Sequence, residues 1–157
     1  MLAQILLRNF LSVDFSECRG CQICELTCSF AKLHVFAPSL ALIRVVHEYP
    51  ATERPIVCYQ CNDAPCARVC PANAIARAET GALVVSEAAC TGCRLCVDAC
   101  PWGLIKMNPA SGIAMKCDLC GGNPECVTLC PPRALKFEYP TKTGGTVSNR
   151  LIGEKGQ

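Results

Sequence analysis

The chain has 157 residues, enough for one large or two small domains, and a formal net charge of +2; it is 51% hydrophobic but only 6% aromatic. Sixteen of the residues counted as hydrophobic are cysteines, so the sequence lacks the side chains for a large aliphatic core and must rely on disulfides or bound metals. No basic patch with interleaved aromatic residues is present, which argues against a nucleic-acid partner.

The first segment in chain order, residues 1–11, is short and apolar and reads MLAQILLRNFL. It has neither the long apolar region nor the A-x-A cleavage site of a signal peptide. Nowhere in the sequence do eighteen apolar residues follow one another. We therefore expect a cytoplasmic protein without a direct membrane span, whose reduced cysteines bind metal; a disulfide framework would require an export route.

Short strands and helical turns alternate along the rest of the chain, which predicts an α+β fold. In chain order they are a strand at 10–15, a helical turn at 25–32, a strand at 40–46, a turn at 67–69, a hairpin at 74–85, a turn at 97–99, a hairpin at 104–115, a turn at 127–129 and a strand at 134–139. The two hairpins have glycine-containing tips between apolar strands and form an internal repeat.

Two stretches lie outside this repeat, residues 29–55 and residues 140–157. The first is a long connection that contains both histidines, and the second is a glycine-containing tail with few strand signals. We expect neither stretch to bury much apolar surface by itself. The tail is either disordered or ordered along a partner subunit.

The sixteen cysteines fall into four groups of four, with none left over. The groups are Cys18, Cys21, Cys24 and Cys28; Cys58, Cys61, Cys66 and Cys70; Cys90, Cys93, Cys96 and Cys100; and Cys117, Cys120, Cys126 and Cys130. The first and third have the C-x2-C-x2-C-x3-C spacing of bacterial ferredoxins, in which three thiolates lie on one tight loop and the fourth follows on a helical turn. The sequence therefore predicts four [4Fe-4S] clusters with all sixteen cysteines as iron ligands.

The second and fourth groups are variants of this pattern. Four residues separate Cys61 from Cys66, and five separate Cys120 from Cys126. Three groups end in Cys-Pro, where proline stops the helix after the last ligand, but the first ends in Cys28-Ser29. The alternative from another class is a zinc-dependent structural module; such sites usually take two cysteines from each of two separated knuckles, whereas here the cysteines of each group are crowded together.

Several segments resemble the four-cluster iron–sulfur subunits of molybdenum and tungsten oxidoreductases, including those of formate dehydrogenase and dimethyl sulfoxide reductase. They are ECRGCQICEL at 17–26, CPWG at 100–103, KCDLC at 116–120 and the two enlarged cysteine loops. The resemblance covers about residues 14–139 and extends to subunits of hydrogenases and carbon monoxide dehydrogenases. The ECRGC start and the Phe36-x-Pro38 element are most similar to the small iron–sulfur subunit of tungsten aldehyde oxidoreductases.

This resemblance implies two nested ferredoxin-like modules with crossed ligation. The outer module would comprise residues 1–57 and 101–157, and the inner module residues 58–100. The implied ligand sets are Cys18, Cys21, Cys24 and Cys130; Cys117, Cys120, Cys126 and Cys28; Cys58, Cys61, Cys66 and Cys100; and Cys90, Cys93, Cys96 and Cys70.

The resemblance also implies a function. The sequence itself contains no catalytic triad, phosphate-binding loop or dinucleotide fingerprint. We expect no catalytic residues in this chain, which would relay electrons between a large tungsten or molybdenum pterin subunit and a flavin or NAD-binding subunit or soluble acceptor. The alternative partner is a hydrogenase or carbon monoxide dehydrogenase. Self-association into a filament is a further possibility, because a row of clusters has two ends.

Five residues outside the cysteine groups have a predicted role or a plainer alternative. Lys116 and Arg19 adjoin ligands, where their charge would raise a cluster potential unless they are solvated flanks. Trp102 would shield a cluster from water. His34 and His47 are expected to lie in a loop or to face a partner, because the cysteines already supply every ligand.

Overall fold

The computed structural model describes residues 9–48, 52–140 and 146–149. Within these residues the strands are β1 (Phe10–Val13), β2 (Arg44–Glu48), β3 (Thr52–Ile56), β4 (Ile75–Arg77), β5 (Leu83–Val85), β6 (Lys106–Met107), β7 (Ala114–Met115), β8 (Leu135–Pro140) and β9 (Thr146–Asn149). The helices are α1 (Ile23–Leu33), α2 (Pro65–Arg68), α3 (Leu95–Ala99) and α4 (Glu125–Thr128), and two 3₁₀ turns span Pro38–Leu40 and Leu119–Gly122.

The strands form one three-stranded sheet and three hairpins, all antiparallel. The sheet has the order β1-β8-β9, and the hairpins are β2-β3, β4-β5 and β6-β7. Strand β8 alternates buried Leu135 and Phe137 with the less buried Lys136 and Glu138, as expected for a strand with one face on the core. Because β1 pairs with β8, residues 10–13 lie beside residues 135–138, more than 120 positions away in the sequence.

The buried apolar residues form two clusters, which we call the first core and the second core. The first core contains Leu11, Cys24, Ala41, Ile43, Val45, Val57, Ala82, Leu119, Cys126, Val127, Leu135 and Phe137. The second core contains Ala64, Cys66, Ile75, Leu83, Cys96, Ile105 and Ala114. Two buried cysteines belong to each core, so the same packing that forms the cores also positions these thiols.

The predicted combination of short helices and hairpins is confirmed, including a helix or helical turn beside the last cysteine of each group. Two expectations about residues 29–55 were wrong. This stretch buries Ala41, Leu42 and Ile43 almost completely, and its strand begins at Arg44 because Pro38 starts a 3₁₀ turn. The stretch also contributes to β3, a strand that was not predicted. It contains Pro55, and proline is unusual in a strand. A hairpin of two strands has only edge strands, where proline is tolerated.

The tail is only partly within the described residues. Thr146–Asn149 pairs with β8 as an additional strand, against the expectation of a strand-poor tail; residues 141–145 and 150–157 lie outside the described residues. The hairpin β6-β7 packs with the second core through Ile105 and Ala114. This hairpin lies within residues 101–157, which the sequence analysis assigned to the outer module. The division into nested modules itself stays a prediction. Over the residues described, no helix is long and apolar enough to cross a membrane.

Candidate metal centres

The four cysteine loops share one backbone turn. The residue before the second cysteine of each group is left-handed, with φ of 66° at Gly20, 48° at Gln60, 70° at Gly92 and 59° at Leu119. Glycine adopts this conformation without strain, and a Cβ at Gly92 would lie 2.7 Å from the carbonyl oxygen of Gly112. Gln60 and Leu119 take the same conformation despite their side chains, which indicates that the surrounding structure holds them there.

A second repeated turn follows the last cysteine of three groups, at 70–73, 100–103 and 130–133. In each, the N–H of the final residue donates to the carbonyl of the cysteine at 3.1 Å, and that final residue is left-handed. Proline directly after the cysteine fixes the entry into the turn. The Cys-Pro pairs were predicted to stop each short helix after the ligand, but the helices already end at Arg68, Ala99 and Thr128, before the cysteine.

Cys28 lacks this turn because it lies inside α1, which continues to Leu33. Ser29 occupies the place of the proline, and its hydroxyl donates to the carbonyl of Leu26 at 3.0 Å and accepts the N–H of Ala37 at 3.1 Å. The Cys28 thiol accepts the N–H of Leu42 at 3.3 Å. The absent proline therefore reflects a longer helix and leaves the cysteine facing a buried backbone.

Three cavities are lined by four cysteines each, three from one motif and the last from another. They are lined by Cys18, Cys21, Cys24 and Cys130; by Cys58, Cys61, Cys66 and Cys100; and by Cys90, Cys93, Cys96 and Cys70. We call them the first-motif, second-motif and third-motif sites, after the motif that supplies three cysteines. Besides these cysteines, each cavity is lined mainly by apolar side chains.

The remaining four cysteines also lie together, and we call their position the fourth-motif site. Burial raises the pKa of the Cys126 thiol well above its ordinary value, and Cys117, Cys28 and Cys120 add to this effect in that order. Cys28 is likewise raised in pKa, first by burial and also by Cys120. Three of the four sets implied by the family resemblance thus line cavities, and the members of the fourth interact electrostatically; the assignment of these sets as cluster ligands stays a prediction.

Electrostatic interactions between thiols link the four sites in three neighbouring pairs: first with fourth, fourth with second, and second with third. Besides burial, a thiol of the neighbouring site raises the pKa of one thiol at each junction: Cys24 acts on Cys126, Cys58 on Cys117, and Cys66 on Cys96. Adjacent sites are therefore close enough for their charges to interact, and a charge placed at one site is felt at the next.

The buried thiols cannot ionise easily by themselves. Burial is the main cause that raises the pKa of Cys24 and of Cys117 to about 12 each. A bound metal deprotonates a coordinating thiol outright, so iron would supply the positive charge that these sites lack. Sets of four thiols in apolar cavities fit [4Fe-4S] clusters, which four cysteine thiolates hold. In the described part of the chain, no group of three His, Cys, Asp or Glu side chains is placed to hold a single metal ion such as zinc.

A buried polar network separates the second-motif site from the fourth. Lys116 is only 5% exposed, and its Nζ donates to the carbonyl oxygens of Leu83 and Cys117 at 3.0 and 3.1 Å and lies 3.6 Å from the Cys58 Sγ. Gln60 is fully buried; its Nε2 donates to the Cys117 carbonyl, and its Oε1 accepts the Leu83 N–H, both at 2.8 Å. Sequence analysis missed Gln60, whose only local signal is that it replaces the glycine of the first and third loops.

Trp102 lies at the second-motif site, as predicted for a shielding residue. Its ring lines that cavity beside Tyr59, with ring centroids 4.7 Å apart, and both side chains are about half exposed. The pair forms a partial aromatic cover over the thiols. A smaller side chain at either position would admit more water.

The remaining singled-out residues lie away from the cavities. The Nδ1 of His47 contacts Oε2 of Glu53, and its Nε2 lies 2.8 Å from Nε2 of Gln22. His34 ends α1 in a left-handed conformation and is exposed. Arg19 is exposed beside the first loop, in agreement with the alternative of a solvated flank.

Comparison with known proteins gives the same assignment. Residues 51–139 match a family model described as a 4Fe-4S dicluster domain, and residues 15–31 match one described as a 4Fe-4S binding domain. Together these ranges contain all sixteen cysteines. The prediction of iron–sulfur clusters is therefore confirmed at the level of the cofactor type.

Individual relatives cover most of the chain. The polyferredoxin-like subunit of aliphatic sulfonate oxidoreductase from Pyrococcus furiosus is 41% identical over 78% of this chain and 72% of its own. The thiosulfate reductase electron transfer subunit PhsB from Salmonella typhi is 36% identical over 79% of this chain and 72% of its own. Among solved structures, the active site complex BamBC of benzoyl coenzyme A reductase as isolated matches with a TM-score of 0.50 at 22% identity, over 95% of this chain and 83% of the matched chain, which shows a shared fold. From the matched domains and the two curated relatives, the chain belongs to the 4Fe-4S dicluster family of ferredoxin-like electron-transfer proteins.

Proposed function

We propose that this chain is a non-catalytic electron-transfer subunit that carries four [4Fe-4S] clusters, one at each motif site. The observation that supports this most directly is the grouping of sixteen cysteines into four sets of four, three of which line separate apolar cavities. When bound, such clusters accept and release single electrons. The protein holds them with thiolates, limits water at them with Trp102 and neighbouring apolar side chains, and places charges beside them.

The ligand sets we propose are those of the four sites as defined above. They make electron transfer along the order first, fourth, second, third the natural route, because each step joins neighbouring sites whose thiols already interact electrostatically. The fourth-motif site includes Cys28, whose position inside α1 compensates for its missing proline.

For the partners, we propose a large subunit with a tungsten or molybdenum pterin of the aldehyde oxidoreductase type at one end of this route. A flavin or NAD-binding subunit or a soluble acceptor would lie at the other, in the cytoplasm. The similarity to named subunits of a sulfonate oxidoreductase and a thiosulfate reductase supports an oxidoreductase partner in general. The tungsten aldehyde assignment rests on the ECRGC start and the Phe36-x-Pro38 element. Hydrogenase or carbon monoxide dehydrogenase is the alternative partner.

Anaerobic purification of the native complex tests the cofactor proposal. We expect about sixteen iron and sixteen sulfide per chain, since each cluster holds four of each, and a brown absorption band that bleaches on reduction. A colourless chain that contains zinc would overturn the relay and favour the zinc-dependent structural module.

Metal analysis of the copurified large subunit tests the partner. Tungsten or molybdenum is expected, whereas nickel would favour the hydrogenase or carbon monoxide dehydrogenase alternative. Mass photometry of the same sample tests the filament: a series of masses that differ by one repeating unit supports self-association, and a single fixed stoichiometry contradicts it.

A further inference from the structure

Lys116 differs from every other described cation near the cysteines. It is almost fully buried, and none of the ion pairs formed among residues 9–48, 52–140 and 146–149 includes it. Lys32, near the fourth-motif site, is paired with Asp118. Arg94, which lines the third-motif site, is exposed and therefore screened by water.

A buried ammonium group without an anionic partner is costly, and proteins bury charges where an opposite charge compensates them. Two carbonyl oxygens and the Gln60 amide oxygen, the last at 3.4 Å, solvate Lys116, but they carry no net charge. Among the described residues, the remaining hydrogen-bond acceptor of its Nζ is the Cys58 Sγ at 3.6 Å. The thiolates of the second-motif site are therefore the anions that this lysine faces.

The surrounding network holds the ammonium group in place. Gln60 joins the Cys117 carbonyl to the Leu83 N–H, and both Leu83 and Cys117 also supply carbonyl acceptors to Lys116. The charge thus cannot swing toward solvent without breaking several buried hydrogen bonds. Lys116 adjoins Cys117 in sequence, and its charge acts on the Cys117 thiol as well as on that of Cys66, but its Nζ forms hydrogen bonds with a thiol of the second motif and with only the backbone of Cys117.

We propose that Lys116 selectively stabilises the reduced form of the second-motif cluster, and that this cluster is therefore the one that keeps the electron when the chain is partly reduced. The inference rests on the proposed function. A fixed positive charge favours the more negative, reduced state of a nearby cluster, and a buried charge acts more strongly than an exposed one. An electron would then rest at an interior site of the relay.

The first test is Lys116→Met, studied by redox titration monitored by electron paramagnetic resonance. We expect the equilibrium constant for reduction of the highest-potential cluster to fall at least about tenfold, or about 59 mV for one electron, with much smaller shifts at the other three. Lys116→Arg, which keeps the charge, should restore most of the potential. Arg94→Gln is the matched control, whose removed charge is solvent-exposed and should shift its own cluster only slightly.

The result that overturns the inference is Lys116→Met with full iron content and an unchanged highest potential, or with a shift that falls on another cluster. Failure of the proposed function is distinct, because it would appear as missing iron in the unaltered protein. If Lys116→Met loses iron, Gln60→Glu places a negative charge 3.4 Å from the same ammonium group and should also lower that potential; an unchanged potential counts against the inference.

If both variants lose iron, one measurement on the unaltered protein still tests the inference about Lys116. A buried charge is little screened by salt. The highest of the four potentials should therefore change least between low and high ionic strength. If it changes as much as the others, the buried lysine does not set it.

Discussion

The two cores of this molecule differ in how many large apolar side chains they contain. Apart from its cysteines and alanines, the first core has eight larger apolar residues: Leu11, Ile43, Val45, Val57, Leu119, Val127, Leu135 and Phe137. The second core has three, namely Ile75, Leu83 and Ile105. The first core also has the three-stranded sheet and the eleven-residue helix α1, whereas the second has hairpins of two or three residues per strand. We therefore expect the second core to depend on bound clusters for its order more than the first core does.

Removal of iron should have the largest effect, and it should separate the two cores. Structural metal sites contribute about 10 kcal/mol or more to the folding of small domains, so we expect the chelated protein to lose amide protection throughout β4–β7 while β1 and β8 retain part of theirs. Hydrogen exchange of the holo and chelated forms measures this. Equal loss in both cores would remove the distinction.

Loss of one cysteine should show that two motifs distant in sequence share a cluster. Cys130→Ala removes a thiol from the first-motif cavity, although Cys130 belongs to the last group in sequence. Its electron paramagnetic resonance spectrum should lack the same cluster signal as that of Cys21→Ala. Cys120→Ala is the matched control and should lack a different signal. If Cys130→Ala and Cys120→Ala lose the same signal, the proposed crossed ligation is wrong.

Truncation of the largest buried side chain should weaken the first core without removing a ligand. Phe137 is 0% exposed, and Phe→Ala changes in a core usually cost about 3–5 kcal/mol. We expect Phe137→Ala to lower the guanidinium concentration at which the brown absorption is lost. Phe36→Ala, at a residue 70% exposed, should leave that midpoint nearly unchanged, and an equal decrease in both variants would contradict the assignment of Phe137 to the core.

The smallest predicted effect concerns the cover of the second-motif site. Trp102→Leu removes a ring that packs against Tyr59 at a tilt of 39° and lines the cavity, so water and oxygen should reach the thiols more easily. We expect faster bleaching in air and a modest change in one potential. Phe36→Leu is the matched control, because that ring also packs against a neighbour, at 4.8 Å from Phe30, but lines none of the three cavities. Equal bleaching rates would show that Trp102 shields nothing.

Sequence analysis succeeded where a feature is set locally. The spacing of cysteines within a loop, the Cys-Pro turns and the glycine-containing hairpin tips each depend on a few consecutive residues, and the structure has all of them. The pairing of distant cysteines came from family resemblance, because no local signal indicates that residue 130 lies beside residue 18.

The features that sequence analysis missed depend on contacts between distant residues. Gln60 acts through Cys117, 57 positions away, and within its own loop it is indistinguishable from a solvated polar residue. Strand β3 was not predicted; its Pro55 pairs with Val45 of β2, a strand that was itself predicted to begin too early in the chain. Lys116 was noted only as a neighbour of Cys117; its burial against Cys58 required the fold.

The crossing of cysteines between motifs also has a consequence for biosynthesis. A growing chain contains every cysteine of the second-motif and third-motif sites once Cys100 has been added. The first-motif cavity gains its fourth cysteine only when Cys130 is added, thirty residues later, although its other three cysteines are synthesised before all the other cysteines. Metallation can therefore begin in the middle of the chain and finish at its ends, so a ribosome that stalls between these two points leaves Cys18, Cys21 and Cys24 as free thiols without their fourth partner.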